Sequence, residues 1–385
     1  MDFNEYILRE QYKKVSGLGD RLGLMKEQID WKPFVPLVKS VFNNDNGVGG
    51  RPNTGECVVV RCMLLQAWYG LTDPELEYQC NDRLSFRNFL GYPDKVPDFT
   101  TIWKIRDRLV NCGVDEKIWS ELQRQIHKLG YKVETGVIQD ATFIKADPGR
   151  KRLQKEKAAK KEGRKITYTP KQLSHIDADG TFTAKNNQVV YGYKNHVKMD
   201  RDYQLIRDYD VTTAKTHDGD IDLVAEGDVA AYRDKGYFGK PLQVEGVSDE
   251  TMKRATLARK LNGGEQKRNR RISRARSPGE RPFAVIKRTF HGTRTYVKTL
   301  VRVSVKEMFK CFAFNLYQLV TLKRKSYFED VKNLQSHMRL RQGRKRCPRI
   351  PTRDTGHRFL RGIACPVNLL IHADEVPQEL QCSVS

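Results

Sequence analysis

No two cysteines in this chain have the C-x-x-C spacing. The eight present (57, 62, 80, 112, 311, 347, 365 and 382) stand with no histidine at zinc-ligand spacing. Neither a structural zinc site nor a disulfide framework organises such a chain, and the thiols read as buried or incidental. Long apolar runs are missing too: no window approaches the roughly 18 consecutive apolar residues that a membrane span needs. The first twenty residues, MDFNEYILREQYKKVSGLGD, mix acidic and basic side chains where a secretory leader would carry an apolar core, which points to a cytoplasmic protein. Acidic charge is in short supply. Asp and Glu number 47 against 70 Lys and Arg, a formal net charge of +23. A polyanion is the natural partner of that surplus, and nucleic acid is the commonest one. A membrane surface fits less well, because no clearly amphipathic basic helix carries the charge.

What is present gives 385 residues, room for two globular units. A short N-terminal segment, 1–30, precedes a helical stretch over 31–130. There Thr54 leads into CVVVRCMLLQAWYG, and Thr72-Asp73-Pro74-Glu75 joins a capping-box spacing to a first-turn proline. Ser85 to Leu90 stops at Gly91, and Thr100 is placed to cap a helix with Ile102, Ile105 and Leu109 on one face. Short helices and tight turns are how a helix-turn-helix unit reads; a packing or dimerisation module reads the same way.

After Gly130 the period changes. GVIQDATFIKAD holds an apolar run ending on Asp140, a buried strand with a carboxylate in it. Residues 150–172 are lysine-rich and short of apolar side chains, an exposed insertion that is either simply solvated or touches phosphate. VVYGYKNHVKMD and YQLIRDYDVTT, separated by Asp200-Arg201-Asp202, predict an antiparallel hairpin. DGDIDLVAEGD suits a crossover helix, AAYRDKGYFG another short strand leading to an acid, and the chain from Arg281 turns helical. The sum is an α/β domain of mixed sheet over 131–325. Periodicity weakens beyond Ser326, so 326–385 reads as a poorly ordered tail.

Phosphodiester chemistry at neutral pH commonly uses two divalent cations about 4 Å apart, held by clustered carboxylates. Asp140 on its strand, Asp234 after AAYR, and Glu280 opening PFAVIKRTF are candidates, although spacing alone would not separate them from ordinary surface acids.

Four local matches and a signature change that balance. Residues 136–140 (GVIQD), 191–196 (YGYKNH), 211–218 (VTTAKTHD) and 234–237 (DKGY) resemble segments of insertion-sequence transposases. Arg276-x-x-x-Glu280 followed by Lys287 reproduces their arginine, glutamate and lysine spacing. The chain departs from the pattern in two places: Ser273 stands where a tyrosine is usual, and Gly279 precedes the glutamate in place of valine. The likeness spans about residues 30–325 and identifies the chain as similar to the insertion-sequence-five family of DDE transposases, within the insertion-sequence-four superfamily.

The resemblance implies a ribonuclease-H-like catalytic domain preceded by a small helical DNA-binding domain, with Asp140, Asp234 and Glu280 as catalytic metal ligands for two Mg²⁺, or Mn²⁺ in substitution. Arg276, Lys287, Lys235, Arg268, Arg270 and Arg271 are the candidate DNA contacts; 253–276 carries ten basic residues and one acid, Glu265. His196 and His217 read as structural residues or phosphate contacts. The implied activity is binding of terminal inverted repeats, strand cleavage, and transfer of the freed 3′-hydroxyl to target DNA, by a homodimer in the DNA complex of a prokaryotic, nucleoid-associated protein. A catalytically silent DNA-binding derivative and a ribonuclease-H-like nuclease without strand transfer stay open as alternatives.

Overall fold

The computed structural model describes residues 3–42, 53–164, 166–173, 175–185, 188–256 and 259–343. Its first half is helical: α1 (Phe3–Gly17), α2 (Arg21–Lys26), α3 (Phe34–Lys39), α4 (Glu56–Tyr69), α5 (Asp73–Asp82), α6 (Leu84–Leu90), α7 (Phe99–Asn111) and α8 (Val114–Lys128). Local chemistry sets the boundaries. Thr72 accepts the Glu75 N–H at the head of α5, and Gly91, in the left-handed region at φ 89°, ends α6. Two anticipated caps differ. Asp98, not Thr100, accepts the Thr101 N–H at 2.7 Å and starts α7, because an ionised carboxylate two residues earlier is the stronger acceptor. Gly55 rather than Thr54 precedes α4, with no side-chain cap.

The second half forms a six-stranded sheet: β1 (Val137–Lys145), β2 (Thr181–Lys185), β3 (Gln188–Asp200), β4 (Ile206–Thr213), β5 (Ala230–Arg233) and β6 (Ser248–Thr251). Its path runs β2-β3-β1-β5-β6, with β4 also paired to β3. The pairs β1/β3, β2/β3 and β3/β4 are antiparallel, whereas β1/β5 and β5/β6 are parallel. The predicted β3/β4 hairpin is present. Asp200 locks its turn by accepting the Tyr203 and Leu205 N–H groups and the Arg207 guanidinium. The predicted crossover helix in DGDIDLVAEGD is absent: only a 3-10 turn, Asp218–Asp220, forms there. Its five acids in eleven residues oppose one another on any helix face, and the carboxylates instead serve as local acceptors: Asp222 takes the Val224 N–H, Asp228 the Ala225 N–H. The lysine-rich insertion contains helix α9 (Arg150–Lys161) and a turn of helix, α10 (Pro170–Leu173).

Helices α11 (Gly263–Arg276) and α12 (Glu280–Arg288), joined by a 3-10 turn at Ser277–Gly279, are followed by the long α13 (Leu300–Gly343). Val305, Met308, Phe309, Cys311, Phe312, Ala313, Phe314, Leu316 and Leu319 of α13 are all buried. Glu307, Lys310, Asn315 and Gln318 of the same stretch are buried too, so this part of the helix lies inside the protein on every side. Here one side meets the N-terminal helices, with Phe312 against Trp31 and Phe34, and the other meets the sheet, where Asn315 pairs with both backbone groups of Ile206 at 2.8 Å. One apolar cluster therefore runs through both halves of the chain, and residues 1–330 form one compact unit. The backbone of α13 continues past Ser326, where a tail was expected; residues 344–385, including Leu369-Leu370-Ile371 and the end of the basic cluster Arg339–Arg349, lie outside the described residues.

Candidate active site

The site forms at the C-terminal end of the parallel pair β1/β5. Cα partners there include Gln139 with Arg233, so the next residues along the two strands are Asp140 and Asp234. Neighbouring strands lie about 4.8 Å apart, and residues in register point to the same face. Asp234 keeps an extended backbone, then caps the 3-10 turn Lys235–Tyr237 through Gly236 N–H to its Oδ1 at 2.7 Å. That bond fixes one oxygen and leaves the other for a ligand.

Asp140 is gripped differently. Its Oδ1 accepts the Ala141 N–H at 2.8 Å, and its Oδ2 accepts Arg276 Nη2 at 3.0 Å. Burial pushes the Asp140 carboxyl above the usual carboxylate range; Arg276 and the Ala141 N–H oppose this, while Asp234 and Asp218 add to it. Arg276 arrives from the end of α11, across the face of β1 that also carries Ile138, the residue two before Asp140. The turn after Arg276 lies flat on that face: a Cβ at Gly279 would stand 2.8 Å from Ile138 Cγ2. Glycine in place of the usual valine thus has a steric cause, since this close approach admits no side chain.

Glu280 opens α12 directly after this contact and is exposed. Among the described residues, no three His, Cys, Asp or Glu side chains converge as a finished metal cage. The structure therefore brings Asp140 and Asp234 together and leaves Glu280 outside the grouping. The donor chemistry suits a hard divalent cation: carboxylate oxygens side by side, with only one arginine offsetting two charges. The Tyr237 hydroxyl adds a second sign. It is fully buried without a hydrogen-bond partner, and Asp140, Asp218 and Asp234 all bear on it electrostatically.

Asp218 and Lys194 lie within the motif segments 211–218 and 191–196 and add to the site residues expected from the sequence. The Lys194 ammonium is buried, donates to Asp218 Oδ1 at 2.7 Å and lies 5.2 Å from the Phe143 ring centroid. The signal was a lysine at an inward position of β3, which is tolerable only with a carboxylate to meet it. His196 is buried, its Nε2 2.9 Å from Thr212 Oγ1, and burial lowers its pKa to about 4. His217 accepts the Gly219 N–H and shapes the 3-10 turn.

Of the basic candidates, Lys235 and Arg270 are exposed and Lys287 is half-buried on α12. Arg268 and Arg271 are committed within the protein. Arg268 donates to the carbonyls of Thr251 at 2.7 Å and Asp249 at 3.0 Å, and Arg271 forks onto Glu250. They cover the outer edge of β6, whose unpaired carbonyls would otherwise invite another strand.

Paired carboxylates at the ends of two parallel strands, in so basic a chain, suit metal-assisted chemistry on a polyanion. The comparisons define the class. Residues 131–316 match the Transposase DDE domain, and residues 9–108 match the Transposase domain (DUF772). No solved structure matches the chain. The protein is a DDE transposase, an enzyme of DNA cleavage and strand transfer, and such domains generally use divalent metal ions.

Proposed function

We propose that this chain is an insertion-sequence transposase of the insertion-sequence-five family, which binds the terminal inverted repeats of its element, cuts a strand at each end and joins the freed 3′-hydroxyl to target DNA. Asp140, Asp234 and Glu280 hold the divalent ions, Mg²⁺ with Mn²⁺ as substitute. The observation that carries the reading is the placement of Asp140 on β1 beside Asp234 at the end of β5, with Glu280 starting the helix that follows Arg276. The order β4-β3-β1-β5-β6, three antiparallel strands and then two parallel to β1, supports a ribonuclease-H-like domain. Bound ions would activate the attacking oxygen and stabilise the leaving one. The protein's own part is to aim two carboxylates from rigid strands, to bring Glu280 in on α12, and to place cations around the DNA. Arg276, which donates to Asp140, would be free to pair with a phosphate where Asp140 served as a metal ligand. Lys287, Lys235 and Arg270 supply further phosphate contacts, and the helices within 31–130 read the repeat. A homodimer brings two ends together.

Incubating the protein with duplexes carrying the inverted repeats that flank its gene, plus a supercoiled target and Mg²⁺, tests this. Free 3′-hydroxyl ends followed by end-to-target joints are expected. Cleavage without joints would favour a nuclease, and binding without cleavage a silent derivative.

A further inference from the structure

A second site lies away from the carboxylates, where the N-terminal ends of α5 and α7 face the loop before α13. It is an open cavity of about 490 Å³. Three of its lining side chains are aromatic and unusually open to solvent: Phe99 at 45%, Trp103 at 44% and Tyr296 at 72%. The other three tryptophans, Trp31, Trp68 and Trp119, are each only 7% exposed. Trp103 is also fixed in place: the Arg302 guanidinium lies 5.6 Å from its ring centroid, and Arg302 is itself held by Asp107 through two hydrogen bonds of 2.7 and 2.8 Å. An aromatic face held rigid and open to solvent suits a planar partner.

The polar side of the cavity asks for an anion. Asp73 is neutralised by Arg106, which grips it with both terminal nitrogens at 2.7 and 2.9 Å. Glu307 is taken by Lys310, and Arg302 by Asp107. At the head of α7, Asp98 and Glu77 are occupied by the Thr101 and Phe99 N–H groups. Lys306 lines the cavity and makes no hydrogen bond or ion pair among the described residues; burial and the neighbouring Lys310 and Arg106 lower its pKa to about 8, partly offset by Glu307 and Asp73. Asp73 and Glu307 act on it only at longer range, each being held by another cation.

We infer that this cavity holds an unpaired nucleotide of the DNA strand, with its base against Trp103, Phe99 and Tyr296 and its phosphate on Lys306. A flat apolar body joined to an anion is what this combination of open rings and the Lys306 ammonium recognises, and base stacking on aromatics is tolerant of sequence. The loop that carries Tyr296 is tied to the catalytic sheet: Thr295 N–H donates to Lys145 O at 2.8 Å, and Lys145 N–H to Thr293 O, on the strand that bears Asp140. A nucleotide seated here would therefore be registered against the cleavage site. The inference rests on the chain binding DNA, as its transposase class requires.

Three labelled DNAs decide it with the full chain: a blunt duplex, the same duplex with a short single-stranded extension, and that extension with abasic sugars. Fluorescence anisotropy should show the base-bearing extension binding about tenfold tighter than the abasic one. Trp103→Ala should abolish that difference while leaving blunt-duplex binding intact, and Trp103→Phe should restore most of it. Lys306→Met should reduce the salt slope by about one for extended DNAs alone. Equal binding of base-bearing and abasic extensions overturns the inference, as does a Trp103→Ala loss shared by all three DNAs. A free mononucleotide that competes as well as the extension would overturn the assignment to a DNA strand. Failure of the wild type to bind even the blunt duplex would instead strike the DNA-binding reading on which the inference rests.

Discussion

Arg276 is the residue on which the resting state of the active site turns, and its replacement by glutamine separates charge pairing from simple packing. Its Nη2 is 3.0 Å from Asp140 Oδ2, with 15% of the arginine side chain and 27% of the aspartate side chain still exposed. A hydrogen bond between charged groups contributes about 1.5 to 3 kcal/mol. Residual exposure screens the pair, so the coupling should lie near the lower end, about 1.5 kcal/mol. The assay is a double-mutant cycle of Arg276→Gln and Asp140→Asn, by urea unfolding in the presence of a chelator. The pH dependence has a definite sign. A carboxyl whose folded value is raised favours the fold below its unfolded value and loses that contribution as pH rises through the folded value. Asp140 is such a group, because burial outweighs Arg276. Removing Arg276 raises it further, so the variant's deficit should be full at neutral pH and should shrink as acid neutralises Asp140. A coupling near zero at neutral pH, or a deficit that does not change on acidification, would refute the pairing as the source of the effect.

Gly279→Val should cost about 1 to 3 kcal/mol, because its side chain meets Ile138 at a contact that even a Cβ overfills; a thermal midpoint equal to wild type would show that the turn can lift off β1. Arg268→Glu should destabilise by a similar amount, about 1 to 3 kcal/mol, through two stranded carbonyls on β6, whereas Arg270→Glu should leave stability alone and flatten the salt dependence of DNA binding by about one unit. Urea unfolding and filter-binding titrations read the two effects separately. A chain ended after Asp330 should keep a single cooperative transition, since among the described side chains of α13, which end at Phe328, the last buried apolar one is Leu319, and Tyr327 and Phe328 are exposed; aggregation of that product would place part of the later residues in the core.

The sequence displayed β1 and β5 because each shows a short apolar run followed by a carboxylate, although β1 runs on five residues past Asp140 to Lys145. Ile102, Ile105 and Leu109 repeat at helical spacing, and all three are buried in α7. What stayed illegible depends on partners distant in sequence. Strand β6, Ser-Asp-Glu-Thr, has no strand-like composition of its own, and exists because β5 offers a parallel edge and Arg268 covers the other. Arg276 reads as a phosphate contact, and nothing local reveals that it donates to Asp140, 136 residues away. The long α13 reads as divided because its described apolar side chains turn from buried to exposed after Leu319 while its backbone continues. Lys194 and Asp218 each sit among ordinary polar neighbours, and only the sheet brings them together.

The central claim is that Asp140, Asp234 and Glu280 act as one metal-binding set, although no three such side chains cluster among the described residues. Asp140→Asn, Asp234→Asn and Glu280→Gln, each assayed for strand cleavage with Mg²⁺ or Mn²⁺ beside a gel-shift titration, test it directly. Each variant should lose cleavage with either ion while holding DNA at close to wild-type affinity, because affinity is spread over many lysine and arginine contacts. Near wild-type cleavage by Glu280→Gln would contradict the account and leave the acid pair on β1 and β5 to be completed by another residue.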